Sequence, residues 1–477
     1  MDRRAFLARG MALGTGLALG SLHAFGSRMA GAGSRPVVQG YGALVAKGDL
    51  MLPPAFHYEI LSVQGRPQSD GTLTPGMFDG MAAYPGPDGT TILIRNHENR
   101  RLPGEIPVVV PAGLRYDDDP SYVAGCSRLV VKESPGGPKR RYAVVESFNL
   151  LGGTDANCAG GALPPLTWIT CEEAVSRGAT GRKHGYAFEV DGSSGGPELA
   201  RPIVAAGRFV HEATAWHAGV LYQTEDRGLD LGGSCFYRYV ASRANRSRDL
   251  AGTTGVLQAL KLKDQFNANM DLGRLPGVPY ACEWVTIADP DHDDDTDLRI
   301  DRVPGFTPLR YQAQDKGAAI FDRQQGMWVG RGRIFFDCTT GGALDLGQVW
   351  EYDPAREAIT LVYESASALS LKHPDNVVIV PWTGDVLLQE DGYGEQFIRG
   401  LTPEGEIYDF ARSLTNRTEF CGGCFDPGGG TLYVNQQGSR GELPFGPSGA
   451  QAVTYAIHGP FHAREGIRVR GHGSGPV

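Results

Sequence analysis

Two kinds of donor recur in this 477-residue chain in a pattern that could bind cations. Asn96, Glu98, Glu172, Glu173, Glu212, Asp375, Asn376, Glu390 and Asp391 are hard oxygen ligands of the kind calcium takes. Most sit where a short apolar run gives way to a polar cluster. Cys171, beside Glu172 and Glu173, is a softer donor, and a thiolate next to carboxylates favours iron or zinc. If these clusters met in space, they could form a centre holding a harder and a softer metal. The plainer alternative is that each carboxylate ends a solvated strand and Cys171 is a small buried apolar residue. His97, His211 and His373 each neighbour a candidate ligand. An imidazole there could bind metal, transfer a proton or contact an anionic substrate, or be a hydrogen-bonded core residue.

Other chemistries find less support. There is no HExxH zinc motif and no Walker loop. The acidic stretch from Asp289 to Asp297 lacks the glycine and the later glutamate of an EF-hand. It reads as a solvated loop, with a peripheral calcium as the alternative. Eight cysteines are too sparse for a disulfide scaffold. The one close pair, Cys421 and Cys424, could be a local disulfide, part of a metal site or a structural pair.

The elements that must position these residues are strands. Six segments share one design, an apolar run ending in a polar cluster: Thr91 to Glu98, Leu166 to Glu173, Gly219 to Asp226, Gly332 to Cys338, Gly384 to Asp391 and Gly430 to Gln437. A second strand type follows several of them, as in Tyr186 to Asp191 and Val349 to Asp353. A third precedes some, as in His211-Glu212, Pro374-Asp375-Asn376 and Cys421 to Cys424. Gly is abundant, at 67 residues, and punctuates these runs where turns belong. Three or four short antiparallel strands repeated about six times describe an all-β, six-bladed β-propeller with inserted loops. Two separate β-sandwiches are the alternative. In a propeller the blades are radial, so clusters distant in sequence converge on a central channel.

A net charge of −9 and a pI near 5.7 offer no basic surface for nucleic acid or anionic lipid. Arg3-Arg4-Ala5-Phe6-Leu7, a weakly apolar stretch and Ala30-Gly31-Ala32 read as a twin-arginine signal peptide over residues 1–32, leaving 33–477 as one propeller domain. An ordinary secretory signal or a membrane anchor is the alternative. No later segment is apolar for long enough to span a bilayer. The expectation is a soluble monomer, periplasmic or secreted, whose export partner is the twin-arginine machinery.

Ile94 to Glu98, Thr167 to Glu173, Gly207 to Glu212 and Pro374-Asp375-Asn376, together with the leader, resemble the PhoX-type alkaline phosphatase family. The resemblance implies a buried ferric iron (Fe3+) and calcium (Ca2+) cluster in the propeller channel and hydrolysis of small-molecule phosphate esters. By that resemblance Cys171 is the iron-binding cysteine, Glu212 and Asp375 are carboxylate ligands, and Asn96, Glu98 and Glu173 are calcium or iron ligands; Glu390, from the residue reading, completes the candidate metal set. His373 and His97 are the candidate catalytic residues. The family has Arg-Pro-Glu where this chain is read as His373-Pro374-Asp375, which puts the phosphate-holding arginine in question. A calcium-dependent propeller lactonase and a non-enzymatic binding propeller are the competing functions.

Overall fold

Strands such as Thr167–Glu172, Pro374–Ile379 and Thr431–Gln436 are buried along their whole length. They carry continuous apolar runs rather than alternation because both faces pack against neighbouring sheets. The computed structural model describes residues 40–134, 141–242, 249–392, 394–439 and 450–464. The expected leader lies outside them. Among the described residues no helix is long and apolar enough to cross a membrane.

The strands form six antiparallel blades in chain order. The inner strand of each is Phe78–Pro85 (blade I), Asn157–Leu163 (II), His211–His217 (III), Gln324–Gly330 (IV), Pro374–Ile379 (V) and Phe420–Phe425 (VI). Each inner strand packs beside those of the next and previous blades, and VI returns to I, so the six close a ring. The early strand His57–Val63 pairs with Val453–His458 and completes blade VI, tying the start of the described chain to its end. That closure is a propeller, and a pair of sandwiches does not fit it. An inserted strand, Pro279–Thr286, pairs with the outer strands of both blades III and IV and covers two otherwise open edges.

Aromatic residues fill the wedges between blades. Tyr222, Phe236, Phe336, Trp350 and Tyr352 pack together between blades III and IV. Tyr41, Phe56, Phe410 and Phe461 form edge-on and tilted contacts around blades V and VI. The inner strands approach one another through small residues. A Cβ on Gly80 would lie 2.6 Å from Ala159 Cα, and one on Gly326 would lie 2.6 Å from Asn376 Cα.

Blade contact makes a testable demand on Gly161, where a Cβ would lie 2.1 Å from the Thr214 carbonyl oxygen. Gly161→Val should cost roughly 1–3 kcal/mol and lower the thermal midpoint. Gly195→Ala, with open space around it, should change stability by less than about 0.5 kcal/mol. Equal midpoints for the two variants would contradict the close packing of the inner strands.

Candidate metal centre

Every blade opens on the same local device. The residue after the second strand donates its backbone N–H to the carbonyl of the residue before the inner strand. The bonds are Glu98 to Met77, Glu173 to Ala156, Asp226 to Val210, Thr339 to Arg323, Asp391 to His373 and Gln437 to Glu419, all 2.8–3.2 Å. Each inner strand then breaks register in a bulge near its start. A bulge bends the strand and re-aims a side chain. At the position after the first strand residue stand Asp79, Cys158, Glu212, Gln325, Asp375 and Cys421, one from each blade.

These positions converge. Ligand atoms of Asp79, Glu98 and Cys158 all lie within 4.8 Å of one another, as do those of Cys158, Glu173 and Glu212, and those of Asp79, Glu419 and Cys421. The Cys158 thiol donates to Glu212 Oε1 at 3.1 Å. Asp79 and Glu212 are fully buried, yet Asp79 Oδ1 and Glu212 Oε2 have no hydrogen-bond partner. Burial pushes both carboxyls well above the usual range; Glu98 adds to this at Asp79, and Glu173 and Asp375 add to it at Glu212. Burial also lifts Glu173 to about 7, against the lowering effect of Arg100. Asp375, Asp391 and Glu419 are raised by burial, and carboxylate neighbours push the same way at each.

Few positive groups answer this charge. One Arg100 nitrogen, Nη2, contacts both Glu98 and Glu173. One amide nitrogen, Gln437 Nε2, faces Asp79, Glu98 and Glu419, three acceptors for two N–H groups. Arg323 grips Asp226 through two bonds, Nε to Oδ1 at 2.9 Å and Nη2 to Oδ2 at 3.0 Å. Burial pushes Asp226 up, but the Arg323 guanidinium outweighs it and holds that carboxyl below the usual range. The donor set of many carboxylates, two thiols and orphaned buried oxygens suits cations.

The sequence candidates divide. Glu98, Glu173 and Glu212 stand in the grouped ligand sets, and Asp375 joins the same carboxylate ring. Asn96 lies behind it. Its amide donates to the carbonyls of Cys158 (2.7 Å) and Ala159 (2.8 Å), and its oxygen accepts from Trp168 Nε1 at 2.8 Å. It therefore fixes the backbone that carries Cys158. Cys171 packs among Ile169, Ala187 and Phe209, outside the grouped ligand atoms. Glu390 accepts from Arg399 Nε and the Lys372 backbone, both at 3.0 Å. His97 holds Gly76 O at 2.7 Å and Ser127 Oγ at 2.8 Å, so both ring nitrogens are used internally. His373 is half-buried at the rim, with Nε2 3.1 Å from Asp345 O, and burial with Lys372 lowers its pKa.

Asp79, Cys158 and Glu419 are ring members that the sequence candidates lacked. Phe78-Asp79-Gly80 and Asn157-Cys158-Ala159 carry the signal, a donor followed by a small residue. Cys421 and Cys424 are both free thiols separated by the blade VI bulge. The acidic loop is pinned by Arg208, which donates to the His292 and Asp294 carbonyls and to Asp295.

A search of curated proteins finds no match to this sequence. Among solved structures, Pseudomonas fluorescens PhoX in complex with vanadate, a transition state analogue, is similar over 89% of this chain and 98% of its own, at 18% identity and a TM-score of 0.63. That similarity supports the fold. A protein of unknown function from Dyadobacter fermentans aligns at 9% identity over 85% of this chain and 100% of its own, with a TM-score of 0.40. The family model described as "Alkaline phosphatase PhoX" matches residues 39–439. The chain belongs to the alkaline phosphatase PhoX family.

Proposed function

We propose that the protein hydrolyses phosphate monoesters with a metal centre of ferric iron and calcium at the channel end, after export through the twin-arginine route. The observation that carries this reading is the convergence of Asp79, Glu98, Cys158, Glu173 and Glu212, with buried acceptor atoms left unpaired. Family membership supports phosphoric ester hydrolysis independently. Cys158 would be the sulfur donor suited to iron, and the surrounding carboxylates would suit calcium. Such metals supply Lewis acidity, neutralise phosphate charge and activate an oxygen nucleophile.

This chain's own residues bind and orient the ester. A phosphate dianion entering a ring of carboxylates needs N–H donors. Arg323 occupies, one blade earlier, the position that His373 holds in blade V, and both have φ near +50°. Asp226 fixes the Arg323 fork while part of the side chain stays exposed, at 36%. A planar guanidinium held in this way suits phosphate oxygens. His373, whose pKa is lowered by burial and by Lys372, lacks the planar two-bond fork that an arginine offers. Arg323 thus takes the phosphate-holding role that the sequence left open.

Hydrolysis of p-nitrophenyl phosphate by protein loaded with iron and calcium tests the reading. Activity should be present and should disappear on chelation. A fully metallated protein that turns over a lactone panel but no phosphate ester would contradict it. Arg323→Ala should raise KM roughly ten- to hundredfold, the worth of a lost charged hydrogen bond, and more than His373→Ala does. Elemental analysis separates the two thiols. Cys158→Ser should lower bound iron, whereas Cys171→Ser should leave it unchanged; the reverse pattern would move the sulfur donor back to Cys171.

A further inference from the structure

Cys421 is not accounted for by a centre with one sulfur donor. It stands in blade VI at the position that Cys158 holds in blade II, and blade I, carrying Asp79, lies between them. Asp79 belongs to both thiol-bearing groups, one with Glu98 and Cys158 and the other with Glu419 and Cys421. In each group the ligand atoms lie within 4.8 Å of one another, a spread that one cation can span. Asp79, Cys158 and Cys421 are all fully or almost fully buried.

Two independent features indicate that the second group is built to receive a cation. Asp79 is completely buried and its Oδ1 has no hydrogen-bond partner. The amide of Gln437 is the side-chain donor that reaches both Asp79 and Glu419, and it is shared with Glu98. A neutral amide cannot offset two or three buried negative charges. The Cys421 thiol donates outward from this group, to the Phe78 carbonyl at 3.0 Å. Its partner Cys424 packs in an apolar cluster with Met81 and Tyr433 and faces no ligand set, so the two cysteines do not act as one pair.

We infer that Cys421 is a second sulfur donor, forming with Asp79 and Glu419 a thiolate-bearing metal subsite that shares Asp79 with the Cys158 subsite. This rests on the channel metal centre proposed above. Metal binding forms the sulfur–metal bond, breaks the S–H bond and releases its proton to solvent. No oxidant or reductant is required. The class of ligand is a transition metal cation of intermediate softness, iron or zinc, because calcium has little affinity for sulfur.

X-ray absorption at the iron edge, on full-length protein loaded with iron and calcium, counts the sulfur donors. Wild type should show two per chain, and Cys421→Ser and Cys158→Ser should each show one. Thiolate-to-iron charge-transfer absorption should fall by about half in each variant. A wild-type count of one, or a count unchanged by Cys421→Ser, would overturn the inference and leave the metal centre standing. A wild type that binds no transition metal would overturn both. If a variant fails to fold, the wild-type count still decides.

Discussion

Repulsion among carboxylates crowded where the inner strands begin is the constraint on which the rest of the structure depends. Asp79, Glu98, Glu173, Glu212, Asp375, Asp391 and Glu419 surround one another. Arg100, Arg323 and the Gln437 amide offset only part of that charge. Buried like charges neutralise by protonation or by binding a cation. The closed ring of inner strands does not allow the groups to separate, so the fold's own rigidity keeps the demand for positive charge in place.

One backbone device repeated in six blades produces an asymmetric site. The bulge position carries a carboxylate in blades I, III and V, a thiol in II and VI, and an amide in IV. The position preceding each inner strand is basic or potentially basic only in blades IV and V, at Arg323 and His373. Thiols therefore gather on either side of blade I, while the Arg323 fork, the proposed phosphate holder, comes from blade IV. Under the proposed function, metal ligation and substrate binding are separated by blade identity rather than by separate loops.

The blade pattern is legible in the sequence, and the candidates that lie outside the grouped ligand atoms do so for physical reasons. Apolar runs with polar endings mark the second strand of each blade and bring out Glu98 and Glu173, while Glu212 belongs to the strand type that precedes such a run. Within those endings the register decides. His97, Glu172, Glu225 and Glu390 are the last strand residues, and each is consumed by internal partners. The next residue, Glu98, Glu173, Asp226 or Asp391, joins the carboxylate ring. Adjacent strand residues point to opposite sides, so Glu390 turns into the blade beside Asp391; Cys171, two positions before Glu173, is instead taken up by apolar contact with Ile169, Ala187 and Phe209. Asp79 and Cys158 escaped notice because Phe78-Asp79-Gly80 and Asn157 to Gly161 lack an apolar run. Small residues are needed there to let neighbouring inner strands approach, and they erase the usual strand signal. Arg323 was hidden by the repeat itself, since its position matches that of His373 one blade later.

The most direct measurement is a crystal structure of protein purified without chelator, with anomalous difference maps collected across the iron edge. The account predicts an iron peak bounded by Cys158, Glu173 and Glu212, with Arg100 turned away from Glu98 and Glu173. A channel that contains only water, with Arg100 still held between those two carboxylates, would contradict it.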